Sequence, residues 1–130
     1  MRSATVAALF FALAVPGLAR AQSDQTGELF RTSHGLSEIV RVNAQGCAAT
    51  AKEVKAYRTR KLDGFNKQKA ATKAWLGKLD QNGQKAYLER NKQQIMRNAT
   101  ESAEALNRFS NGCKKEAPAV RAVMTEFNFQ

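Results

Sequence analysis

The two cysteines of this 130-residue chain, Cys47 and Cys113, lie symmetrically about a turn signal. The residue midway between them is Asp80, which begins the polar stretch Asp80–Gly83 with its asparagine–glycine pair. In an antiparallel helical hairpin, residues equidistant from the turn lie opposite each other, and a disulfide needs α-carbons within about 7 Å. The spacing therefore predicts an all-α fold: an antiparallel helical hairpin or small helical bundle closed by one disulfide.

A disulfide also needs an oxidising compartment, and the N-terminal sequence has the features of an export signal. Arg2 precedes an apolar run over 4–15, and the small-residue triplet 19–21 follows it. The run is shorter than the ~20 residues of a membrane-spanning helix. We therefore expect a signal peptide of Gram-negative style, cleaved between Ala21 and Gln22, which places the protein in the periplasm or otherwise outside the cell. The alternative for the cysteines is two independent thiols.

Hydrophobic periodicity predicts a long helical segment on each side of the turn. Over 84–113, apolar residues recur at steps of three, four or seven, and a left-handed cap at 111–112 should end that helix. The segment 47–79 has a helical composition, but polar residues interrupt its apolar face, and Gly64 leaves a break and a continuous helix both open. The predicted stripe of the second segment consists of Leu88, Ile95, Ala99, Ala103, Leu106, Phe109 and Cys113.

The rest of the chain is divided by composition. After the signal peptide, 1–21, the glycines and small polar groups of 22–35 predict a mobile N-terminal segment, so the single helical domain is expected over 36–130. Residues 36–46 suit a helix or a strand because helical spacing coincides with a β-branched run. Near the C-terminus, Pro118 suits the first turn of a short helix, although the tail also alternates like a strand.

Basic residues are concentrated in the middle of the chain. The formal net charge is +10, from 21 Lys and Arg against 11 Asp and Glu. Segment 52–97 holds 13 of the basic residues and only four of the acids, which points to an anionic partner without identifying it. The candidate anion-binding residues are Lys52, Lys55, Arg58, Arg60, Lys61, Lys67, Lys69, Lys73, Lys78, Lys85, Arg90, Lys92 and Arg97.

The sequence offers few groups for catalysis, so we predict a non-enzymatic protein with no catalytic site, metal site or cofactor. His34 is the only histidine, and an exposed loop position is favoured over a role as general base for Ser33 or Ser37. Glu101 and Glu104 form an i,i+3 pair that is expected on a solvated helix face. Cys-x-x-Cys, zinc and calcium spacings and phosphate-binding glycine loops are absent from the sequence.

Binding is the function class that remains. Aromatic residues at 57, 65, 75 and 87 alternate with the basic ones, which suits anionic polymers, although burial in the core is favoured for them. We predict an exported helical binding protein, with a chaperone-like role as one form, that presents a basic surface to an anionic envelope component or an acidic polypeptide. Nucleic acid is compatible but not favoured. The alternative is a structural or assembly subunit of the cell envelope that uses its hairpin for protein–protein contacts.

Overall fold

The computed structural model describes residues 22–43 and 45–128, which contain four α-helices and no strand. The all-α prediction is therefore confirmed, and none of these helices is long and apolar enough to cross a bilayer. The expected signal peptide, 1–21, lies outside the described residues. In chain order the helices are α1 (Thr26–Val42), α2 (Cys47–Gly77), α3 (Gln81–Gly112) and α4 (Ala117–Glu126).

Helices α2 and α3 are the antiparallel arms of a hairpin. They have 31 and 32 residues, so each extends for about 46–48 Å at 1.5 Å per residue. Gly64 lies inside α2 without a break, and outside the backbone of that helix turn no neighbouring group lies within 4 Å of the position that a Cβ would take there. Asp80 caps α3 by accepting a hydrogen bond of 2.7 Å from the Gly83 amide. The turn is therefore at 78–80, slightly before the predicted Asp80–Gly83.

The cysteines join the two arms at the end opposite the turn. Their sulfur atoms lie at disulfide distance, and their α-carbons are 5.4 Å apart, as the symmetric spacing predicted. Helix α3 ends at Gly112 without the expected left-handed cap, because the next residue, Cys113, has φ of −131°. A left-handed residue instead ends α1, at Asn43, where φ is 45°.

Helix α1 packs against both arms, antiparallel to α2 and parallel to α3. It begins near the turn, where the Gln25 backbone amide donates to Thr72 Oγ1 at 2.8 Å. The structure differs from the expected mobile segment over 22–35, because Leu29 and Phe30 of this stretch are buried in the fold. The helical domain thus includes residues before 36, and the helical alternative for 36–46 is right up to Val42.

One close approach fixes α1 on α2. The Tyr57 side chain lies over Gly35, where a Cβ would meet the tyrosine hydroxyl at 2.7 Å. The same hydroxyl donates to the Thr32 carbonyl oxygen at 2.6 Å. A residue larger than glycine at position 35 would therefore displace the tyrosine from its hydrogen bond.

Helix α4 packs against both arms near the disulfide. Pro118 lies in its first turn, as predicted, and the helical alternative for this tail is confirmed through Glu126. Phe127 follows the helix and is buried, with its ring centroid 5.8 Å from that of Tyr57 and 5.1 Å from that of Phe65. These aromatic contacts fill the core between α2 and α4.

The buried face of α3 differs from the predicted apolar stripe along much of the helix, since Leu88, Ala99 and Ala103 of that stripe are exposed. Tyr87 and Asn98 are buried, whereas Leu88 is 58% exposed. The reason is a polar ladder, which we define as three hydrogen-bonded side-chain pairs between α1 and α3. The pairs are Thr26 with Tyr87, Ser33 with Asn98, and Ser37 with Ser102. The two side-chain oxygen atoms lie 2.9 Å apart in the second pair and 2.9 Å apart in the third.

Candidate functional site

The 13 candidate anion-binding residues lie on the arms and at the turn, and all but one are exposed. The exception is Lys69, which is half-buried. Successive residues of a helix advance by about 100°, so these side chains project from several faces of the arms. The structure therefore gives a basic surface spread over both arms instead of one compact patch.

Two of the candidates hold the C-terminal segment in place. Arg58 donates two hydrogen bonds to the Glu126 carboxylate, at 2.7 and 2.8 Å. These bonds lower the pKa of Glu126 below its ordinary value and raise the pKa of Arg58. Lys69 Nζ donates to the carbonyl oxygen of Asn128 at 2.8 Å. Neutralising either residue would disturb the packing of α4 as well as the surface charge.

Other candidates contact neighbouring side chains. Lys67 lies 3.1 Å from the Asp63 carboxylate, and Lys78 donates to the side chain of Gln22. Arg97 donates to Gln94 within α3 at 3.4 Å. These contacts are at the surface, where ion pairs add little to stability and are screened by salt.

The aromatic residues among the basic ones belong mainly to the core. Tyr57, Phe65 and Tyr87 are buried, which confirms the favoured prediction for them. Trp75 is half-buried and packs edge-on against Tyr87, with ring centroids 5.8 Å apart. The guanidinium groups of Arg60 and Arg90 lie over the rings at 57 and 87, at 5.7 and 5.9 Å. Both tyrosines thus pack with an arginine on their outer side.

Six lysines of segment 52–97 have side chains without a polar contact to another described residue. Each is exposed, and its side chain forms no hydrogen bond or ion pair with any residue in 22–43 or 45–128. Their ammonium groups are therefore in contact with solvent. They are Lys52, Lys55, Lys61, Lys73, Lys85 and Lys92.

Acidic residues gather at a second place, a cleft of about 190 Å³ between α1 and α3. His34 Nδ1 lies 3.0 Å from Glu101 Oε2, and His34 Nε2 lies 3.9 Å from Glu38 Oε1. Two hydrogen bonds from Arg41 lower the pKa of Glu38 and raise that of the arginine. His34 is exposed as predicted, but it lies on a helix and not in a loop.

This cleft was missed in the sequence because Glu101 is 67 residues from the histidine. The i,i+4 spacing of His34 and Glu38 was the local signal that could have indicated it. The two serines considered as partners of the histidine make other hydrogen bonds: Ser33 donates to an asparagine and Ser37 pairs with a serine, both on α3. The two helices are thus joined in the cleft by a hydrogen bond between His34 and Glu101, beside the ion pair of Glu38 with Arg41 on α1.

A further group of potential metal ligands lies at the cysteine end. The Glu116 carboxylate and the sulfurs of Cys47 and Cys113 lie within 4.8 Å of one another. The sulfurs are at bonding distance from each other and so are not two free thiolates. Thiolate is the form of cysteine that binds metal, so this group fits a disulfide beside a carboxylate.

Comparison of the chain with protein-family models, with curated proteins and with solved structures finds no match. Its function therefore has to be inferred from its own residues. The six uncontacted lysines and the exposed apolar residues of the arms are the features that the fold itself does not use.

Proposed function

We propose that this protein is an exported, non-enzymatic helical binding protein that presents the basic surface of α2 and α3 to an anionic partner. The observation that carries the proposal is the set of six lysines without contacts to other described residues. A positive charge that the fold does not neutralise produces an electrostatic potential at the surface, and this potential attracts anions. The expected location is the periplasm, or the outside of the cell in a source without one.

The partner classes that suit this surface are an anionic envelope component and an acidic polypeptide. The lysines project from two long helices, which α1 and the cysteine pair tie together, so their spacing is preorganised. Large exposed side chains on α3, Leu88 and Met96, add apolar contact area beside the charge. A chaperone-like role, in which an acidic unfolded segment is held on the arms, is one form of this proposal.

Salt-dependent retention on a heparin column tests the proposal. The mature protein should be retained at low salt and eluted by salt, because screening weakens contacts between exposed charges. The double variant Lys55→Gln/Lys61→Gln should elute at lower salt. The matched control Lys114→Gln/Lys115→Gln loses the same charge outside the segment, at two exposed positions, and should elute close to the wild type. Absence of retention at low salt would refute the proposal.

The exposed apolar residues also favour a second candidate function, a structural or assembly subunit of the envelope. Within the described residues, Val42, Leu88 and Met96 are large apolar side chains that are more than half exposed. Such residues are common where one subunit packs on another, if they form a continuous patch. A dimer or larger species in light scattering that persists at high salt would support this function, and a monomer would count against it.

A further inference from the structure

One outward row of α3 combines lysines with large apolar side chains. We define the outer stripe as Lys85, Leu88, Lys92 and Met96, whose spacings are three, four and four residues. At 100° per residue, these four side chains fall within about 80° of the helix circumference, over about 16 Å of its length. All four are exposed, and Leu88 and Met96 are 58% and 61% exposed. A helix face in contact with water alone is ordinarily polar, so this row is unusual.

The fold covers α3 next to the outer stripe but not the stripe itself. Helix α1 contacts the face that bears Tyr87 and Asn98. Helix α4 packs on the half of α3 near the disulfide, where Leu106 lies against the core. A groove of about 210 Å³, lined by Leu76, Tyr87 and Leu88 among others, extends the apolar surface towards the turn. The half of α3 near the turn therefore keeps a row of lysines and apolar side chains without a partner in the described chain.

From this row we infer that the outer stripe docks on the surface of a membrane that contains anionic phospholipids. This inference rests on the proposed function and names its partner. The phosphate groups of such a surface complement the lysine charges, and the boundary of the acyl chains accepts the side chains of Leu88 and Met96. Lysine suits this environment because its aliphatic stem contacts apolar groups while its ammonium group remains among the headgroups.

Charge complementarity favours this occupant over a second copy of the chain. Two outer stripes packed together would bring their lysines into contact, and like charges across an interface oppose association. The one carboxylate at the edge of the stripe is that of Glu89, which is exposed and has no ion pair among the described residues. Because this carboxylate repels lipid phosphates, removal of its charge should strengthen binding to an anionic membrane.

The experiment is flotation of the mature, oxidised protein with vesicles of phosphatidylcholine alone and of phosphatidylcholine with phosphatidylglycerol. Binding should occur only to the anionic vesicles. Leu88→Gln/Met96→Gln should weaken it about tenfold or more, since two apolar side chains no longer enter the interface. Glu89→Gln should strengthen it several-fold. Val42→Gln is the matched control, because Val42 is equally exposed at 59% but lies on α1, and it should change nothing.

The results distinguish failure of the membrane inference from failure of the proposed anion-binding function. Retention on heparin without binding to anionic vesicles would overturn the membrane inference and leave the proposed function standing. Binding to polyglutamate but not to vesicles would overturn it in the same way and favour an acidic polypeptide. Vesicle binding that Leu88→Gln/Met96→Gln leaves unchanged would overturn the role of the outer stripe. Circular dichroism of each variant verifies that its helices are intact.

Discussion

Reduction of the bond between Cys47 and Cys113 is expected to remove a large part of the stability of this fold. The two residues are 66 positions apart, and closing a loop of that size in the unfolded chain is worth about 4 kcal/mol. Domains of this size have total stabilities of about 5–15 kcal/mol, so the loss is between roughly a quarter and four fifths of the whole. Since the bond joins the arm ends opposite the turn, no shorter covalent connection replaces it.

The loss corresponds to a fall in melting temperature on the order of 15–30 °C for a domain of about this size. Thermal melts followed by far-ultraviolet circular dichroism, with and without reductant, measure it, and a thiol assay establishes that both cysteines are free. The variant Cys47→Ala/Cys113→Ala is the control: it should melt near the reduced protein and not respond to reductant. Equal melts of the oxidised and fully reduced protein would refute the loop-closure reasoning.

Three further perturbations have expected results. Asn98→Leu leaves the buried Ser33 hydroxyl without its acceptor, so urea titration should show a loss of about 1–3 kcal/mol, and no loss would contradict the polar ladder. Gly64→Ala should raise stability by about 0.5–1 kcal/mol in the same assay, because the position is helical and has free space around it, and a loss would indicate a kink there. Arg58 lowers the pKa of Glu126 from 4.5, so the stability that this ion pair adds is present above that pH and is lost as the pH falls through the lower folded pKa. The variant Arg58→Gln should therefore lower the melting temperature at about pH 7 and not at about pH 2. An equal effect at both pH values would contradict this pairing.

The hairpin could be predicted from the sequence because its determinants are local or symmetric. Helix periodicity, the turn signal that begins at Asp80 and the equidistant cysteines each need only the spacing of residues along the chain. Helix α1 could not be predicted in the same way. Its buried face includes Thr26 and Ser33, which a composition argument assigns to solvent, and their partners lie 61 and 65 residues away. The recurrence of hydroxyl side chains at spacings of seven and four residues, through Ser37, was the available signal.

The basic character of the arms was likewise evident from composition. Which basic residues pair with a carboxylate and which remain unpaired was not. Arg58 is distinguished from Lys55 by a carboxylate that is 68 residues away in sequence. The exposure of Leu88 depends on which face of α3 is occupied by α1, and spacing alone had placed this leucine in the core. Tertiary contacts of this kind are decided by complementarity between helices, which a single sequence does not display.

The polar ladder also has a consequence for the order in which the chain can fold. The residues of α1 are synthesised before those of α3, and their hydrogen-bonding partners follow 61 to 65 positions later. The interface of α1 is therefore incomplete until Ser102 has emerged from the ribosome. Its apolar side chains at 29, 30, 36 and 40 lack their full set of packing partners during that interval, and exposed apolar surface promotes aggregation of a nascent protein. Thr26, Ser33 and Ser37 interrupt this apolar surface, and their hydroxyl groups can bind water until α3 is available.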